Sequence, residues 1–152
     1  MYPPHHFFFG LAFSLSLLVI FPQIGLTGFF IILSSSVLID IDHYIYYAYK
    51  KKDFNLIHAY AWFVNRKKKF ILKPRTARNK YFAGIYFLHG FEVLFVLSLA
   101  AIFLSKNFLF VLVAFNFHLL LDIIETKRYI DRPIKLSLIY DIISSRKLKV
   151  FN

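Results

Sequence analysis

The chain has 152 residues, enough for one domain, and 59% of them are hydrophobic and 20% aromatic. Ordinary soluble domains sit near ~45–50% apolar, so this composition points away from that class. Nineteen Lys and Arg against eight acids leave a net charge of +11, and the absence of cysteine excludes disulfides and thiolate metal sites, so that nitrogen and oxygen must hold any metal.

Four apolar runs approach the roughly 20 residues needed to cross a bilayer. The first covers about residues 6–21 and ends at Pro22 and Gly25. It lacks the basic start and small-residue cleavage site of a signal peptide, and is expected to be retained. The second runs over 26–49, the third over 81–104 and the fourth over 107–125. Links of a few residues between runs one and two, and between three and four, make them antiparallel neighbours. The expected fold is an all-α membrane four-helix bundle within a single domain, 1–152.

The bases set its orientation. Eleven lie between Lys50 and Lys80, seven between Lys127 and Lys149, and Lys106 stands alone on the other side. Both termini and the 50–80 loop are therefore expected in the cytoplasm, with the chain in the cell (inner) membrane. Within that loop, Asp53 is expected to cap a short interfacial helix over Phe54–Phe63. Arg66 to Arg78 then forms a basic stretch for anionic lipid head groups rather than nucleic acid. After Pro133, Ile134, Leu136, Leu138, Ile139, Ile142 and Ile143 alternate with charges, which predicts an amphipathic tail helix within 129–152.

Ionisable residues inside spans are costly and point to function. Span one opens with His5 and His6; span two carries Leu38-Ile-Asp-Ile-Asp-His43; span three holds His89 and Glu92; span four holds His118, Asp122 and Glu125. Asp40 and His43, like His89 and Glu92, are three apart, and His118 and Asp122 are four apart, so each pair shares a helix face. Asp42 points elsewhere and is suited to orienting a ligand. At 1.5 Å per residue, His43 lies about 10 Å in from Lys50 and Asp40 about 15 Å. His89 lies about 13 Å in from Lys80, His118 about 13 Å in from Lys127, and Asp122 about 7 Å. All fall in the inner half, at the level where His6 opens span one.

Carboxylates crowded in low dielectric repel one another, and a divalent cation removes that cost. Imidazole and carboxylate suit zinc first, then manganese or iron. A metal acidifies its bound water to a pKa near about 7, enough for ester hydrolysis at neutral pH. Metal is favoured over purely structural polar packing, whereas His58 and Glu125 sit at the interface and need no special role.

In order, His6-Phe-Phe-Phe-Gly-Leu-Ala, Leu38-Ile-Asp-Ile-Asp-His43, His89 and Phe117-His-Leu-Leu-Leu-Asp122 resemble the YdjM-like family of LexA-regulated, membrane-bound, predicted metal-dependent hydrolases. The resemblance covers about residues 5–125. In that family the matching pieces are an early Gly-His, Leu-Pro-Asp-x-Asp-His, His-Arg-Gly-x-Thr-His-Ser and His-x-x-x-Asp. Here Ile39 stands for the Pro, Gly84-Ile85 for the His-Arg, and Leu88-His89-Gly90 for Thr-His-Ser. A distant similarity to zinc-dependent phospholipase C and P1 nuclease implies His6, Asp40 or Asp42, His43, His89, His118 and Asp122 as metal ligands.

The expected activity is hydrolysis of a phosphoester at the cytoplasmic leaflet, with membrane lipid as partner and a lipid phosphoester as substrate. Asp42 or Glu92 is expected as general base. Two other readings stand beside it: a small metal-ion or proton transporter or channel, and a non-catalytic membrane scaffold.

Overall fold

The computed structural model describes residues 3–82, 84–131, 134 and 136–151, and these are mostly α-helical. Helix α1 spans Pro3–Ile20 and gives way at Pro22, which starts a single 3-10 turn, Pro22–Ile24. Helix α2, Gly25–Leu38, follows at once, so α1 and α2 fold back antiparallel and pack together. A Cβ on Gly10 would overlap the Ser36 hydroxyl, so the missing side chain lets the two backbones close up there.

The second apolar run is not one uninterrupted helix. Val37 and Asp40 carbonyls accept the Asp40 and His43 amides at 3.2 and 3.1 Å, an i→i+3 pattern that turns the chain before α3, Ile41–Lys51. Asp40 is thereby presented at the junction of the two helices.

The helix expected over residues 54–63 is longer than expected and capped elsewhere. Helix α4 runs over Leu56–Ile71, and the Asn55 side chain caps it by accepting the Ile57 and His58 amides at 2.9 and 3.2 Å. Asp53 instead ties the α3–α4 turn, accepting from the Tyr47 hydroxyl at 2.6 Å and the Asn55 amide at 2.9 Å, with His58 Nδ1 at 2.9 Å. Those contacts, the Tyr47 hydroxyl foremost, hold its carboxyl down at about 2. The first half of the expected basic stretch is therefore helical, and a single turn, α5, follows at Arg75–Arg78.

Among its described residues, which leave out 83, the third apolar run is helical only as α6, Phe91–Phe103, which is 13 residues and so about 20 Å long. Gly84 sits at φ +151, a conformation that L-residues rarely adopt, and holds the chain out of helix ahead of His89. Helix α7, Asn107–Tyr129, extends four residues beyond the expected end of run four. The core helices pack α1 on α2, α2 on α7, and α6 on α7.

The tail holds an eight-residue helix, α8, at Leu138–Ser145, whose N-terminus receives Glu92. Strand β2, Lys149–Val150, then pairs in parallel with β1, Tyr81–Phe82, an element the apolar pattern does not announce. The expected tail helix also covers residues 132, 133, 135 and 152, and the chain ends are residues 1 and 152; these lie outside the described residues.

Two helical stretches, Pro22–Lys51 and Asn107–Tyr129, are long and apolar enough to cross a membrane, while α1 and α6 are shorter apolar helices. Their outer faces are bare. Phe8, Val19, Phe30, Phe95, Ile102 and Leu109 are all exposed, an apolar surface far broader than the scattered singles of a soluble protein.

Candidate metal centre

Five stretches of chain deliver polar side chains to one largely buried point. The first turn of α1 supplies His6, the α2–α3 junction Asp40, the first turn of α3 Asp42 and His43, the coil before α6 His89, and the middle of α7 His118 and Asp122. His6, Asp42, His89, His118 and Asp122 are each at most 2% exposed.

Three imidazoles face two carboxylates. His6 Nε2 is 3.8 Å from Asp40 Oδ2 and 3.5 Å from Asp122 Oδ1. His89 Nε2 is 3.6 Å from Asp40 Oδ1 and 3.4 Å from Asp122 Oδ2. His118 Nε2 is 3.5 Å from Asp40 Oδ1 and 3.9 Å from Asp122 Oδ2. His6 and His118 stack with centroids 3.9 Å apart. His6, His118 and Asp122 form one set of donor atoms within 4.8 Å of each other, and Asp40, His43 and His89 a second.

These separations decide what the cluster suits. An N–H···O hydrogen bond spans about 2.7–3.2 Å, so the six contacts are too long to satisfy the groups that make them. Two ligands each about 2.1 Å from one ion, at the tetrahedral angle, stand about 3.4 Å apart. Both ring nitrogens of His6 and Nε2 of His118 are buried without a hydrogen-bond partner. A buried polar atom left in that state costs about 1–3 kcal/mol, and here several coincide at one point. The donor set and its spacing fit a divalent cation.

A second row of contacts aims the rings. Asp42 accepts the Leu88 amide at 2.9 Å and has His89 Nδ1 at 3.0 Å and His43 Nδ1 at 2.7 Å. The Ser36 carbonyl sits 2.8 Å from His118 Nδ1. A partner at Nδ1 directs Nε2 of His89 and of His118 at the carboxylates, the usual support of a metal-ligating histidine. Asp42 thus orients two imidazoles, and its enclosure leaves it badly placed to take a proton from a substrate-borne water. His43 stacks on Tyr86 at 3.9 Å and, at 19% side-chain exposure, faces a cavity.

Glu92 is used elsewhere. It accepts from the Ser137 hydroxyl at 2.6 Å and from the Leu138 and Ile139 amides at 3.0 and 3.3 Å, capping α8. The expectation that it supplies a base is replaced by this structural role, because the coil at 84–90 removes the helical register that would have placed it beside His89. Glu125 meets Lys67 at 2.6 Å, and His58 meets Asp53.

A cavity of about 320 Å³ opens beside the cluster, between α3, α4 and α7, with Asp40, His43 and Asp122 in its wall. It also holds Arg66, which composition alone assigned to head-group contact. The missed signal is periodicity: Ala59, Phe63, Arg66 and Phe70 recur at spacings of four and three along one face of α4. Tyr86 and the Ser36 carbonyl were equally unannounced, the first in coil and the second a backbone group.

No family model matches the chain, and no curated protein or solved structure is significantly similar to it.

Proposed function

We propose that the chain is an integral membrane hydrolase that cleaves a phosphoester with a divalent cation, zinc by preference, at the His6–Asp40–His89–His118–Asp122 cluster. The observation that carries this reading is the convergence of three Nε2 atoms on the buried Asp122 and the half-buried Asp40 carboxylates at ion-ligand spacing. Membrane insertion is supported by the two long apolar helices and by the exposed apolar faces of α1 and α6. The basic segments, which flank the cluster end of the spans, favour a cytoplasmic site.

When bound, the cation supplies Lewis acidity and lowers the pKa of a ligated water. His43 and Asp42 handle the proton. With Nδ1 on Asp42 Oδ1, the His43 ring is held in one tautomer beside the cavity. As water attacks phosphorus and the P–O bond to the leaving group breaks, His43 takes the water proton and returns it to the leaving oxygen. Asp42 acts through His43 as a positioning residue.

The test is hydrolysis of a chromogenic phosphoester by purified protein in detergent, with metal content measured on the same sample. Activity that is lost to chelator and restored by zinc supports the reading. Protein that contains no stoichiometric divalent metal, and acquires none on incubation, removes it.

A further inference from the structure

Arg66 is the least expected residue in the cavity wall. It is only 8% exposed, yet no carboxylate among the described residues pairs with it. Its Nε and Nη2 donate to the Phe151 carbonyl at 3.0 and 2.5 Å, and its guanidinium lies 4.9 Å from the Trp62 ring centroid. Burying a guanidinium is expensive unless an anion meets it, and a neutral carbonyl is a partial remedy. Lys67, by contrast, is already matched by Glu125.

At one end the wall carries the cluster residues Asp40, His43 and Asp122, and beyond the Lys67–Glu125 pair it is largely apolar, with Leu56, Tyr60, Phe63, Phe70 and Ile130. Leu56 and Tyr60 are exposed at its edge, on the amphipathic helix α4. A soluble phosphate would answer Arg66 and leave this wall in water. An uncharged lipid would cover the wall and leave Arg66 without its anion. An anionic amphiphile meets both demands.

We propose that the cavity binds an anionic phospholipid, with its phosphate at Arg66 and its hydrocarbon along α4, and that Arg66 selects the charge of the head group. This deepens the hydrolase reading by naming its substrate class, while the binding itself requires no catalysis.

Trp62, the chain's single tryptophan, stacks on Arg66 and reports on the site. Protein in detergent is titrated with phosphatidate or phosphatidylcholine carrying brominated chains, which quench indole fluorescence, and inorganic phosphate serves as competitor. The expected result is that phosphatidate quenches with an affinity at least about tenfold tighter than phosphatidylcholine. That margin shrinks in Arg66→Lys and vanishes in Arg66→Met. Equal quenching by the two lipids in the wild-type protein overturns the proposal, whether or not either variant folds. Displacement by inorganic phosphate at concentrations matching phosphatidate would overturn it too, in favour of a soluble phosphate ligand. Metal analysis of the same samples separates the two readings: head-group preference in a protein that takes up no metal supports the lipid site and removes the hydrolase.

Discussion

Asp42→Asn is the substitution whose consequences the geometry fixes most tightly. The Oδ2 side of Asp42 serves two donors, the Leu88 amide and His89 Nδ1, and the Oδ1 side serves only His43 Nδ1. An amide has one carbonyl, and the side with two donors claims it. The NH2 group then faces His43, which must accept at Nδ1 and carry its proton at Nε2. His89 keeps its orientation and the cation stays, but His43 is in the wrong tautomer to take a proton. General acid–base catalysis contributes typically 10²–10⁴-fold, so kcat should fall by about that factor. The factor corresponds to about 2.7–5.4 kcal/mol of barrier. The assay is phosphoester turnover alongside metal content, both on detergent-purified protein. Turnover within about threefold of wild type, in a sample holding its metal, would refute the proton-transfer role given to His43 and Asp42.

Other substitutions separate the roles of the remaining residues. His118→Ala should abolish stoichiometric metal binding, whereas His43→Ala should retain metal and lose turnover, as elemental analysis against kcat will show. Gly10→Leu should wedge α1 from α2 at Ser36, whose carbonyl holds His118, and so lower the melting temperature and metal affinity together. Glu92→Gln should leave metal content unchanged and speed hydrogen exchange at the Leu138 and Ile139 amides, because only the α8 cap is weakened. The Asp53 carboxyl is depressed to about 2, chiefly by the Tyr47 hydroxyl. A depressed carboxylate stabilises the folded chain above its unfolded pKa, and that contribution disappears as pH falls through the folded value. The α3–α4 turn should therefore loosen between about pH 4 and about pH 2. Trp62, whose ring is 5.6 Å from that of Tyr47, should report the change by fluorescence, and Asp53→Asn should remove it.

Helical spacing carries much of the site. The four-residue step from His118 to Asp122 sets both on one face of α7, whereas the helix-rise distance from Lys80 to His89 does not apply, because coil precedes His89. The fold differs where hydropathy is blind to backbone conformation. Run 81–90 is as apolar as a helix, but Gly84 at positive φ and the β1–β2 pairing hold its described residues, 81–82 and 84–90, out of one. That difference brings His89 in from coil and turns Glu92 towards α8. The choice of cap between Asp53 and Asn55 depends on where the helix starts, which two polar residues two positions apart do not settle. Arg66 was masked by its neighbours: inside a run of four basic residues, only its register with Phe63 and Phe70 marks it as inward-facing.

The cation is tested most directly by anomalous scattering from crystals of protein purified without chelator, with data collected on both sides of the zinc edge. One or more peaks should appear about 2.1 Å from Nε2 of His6, His89 and His118, bounded by the Asp40 and Asp122 carboxylates. A cluster with no peak, its imidazoles hydrogen-bonded to one another's carboxylates at ordinary distances, would contradict a metal centre and leave these residues as polar packing between helices.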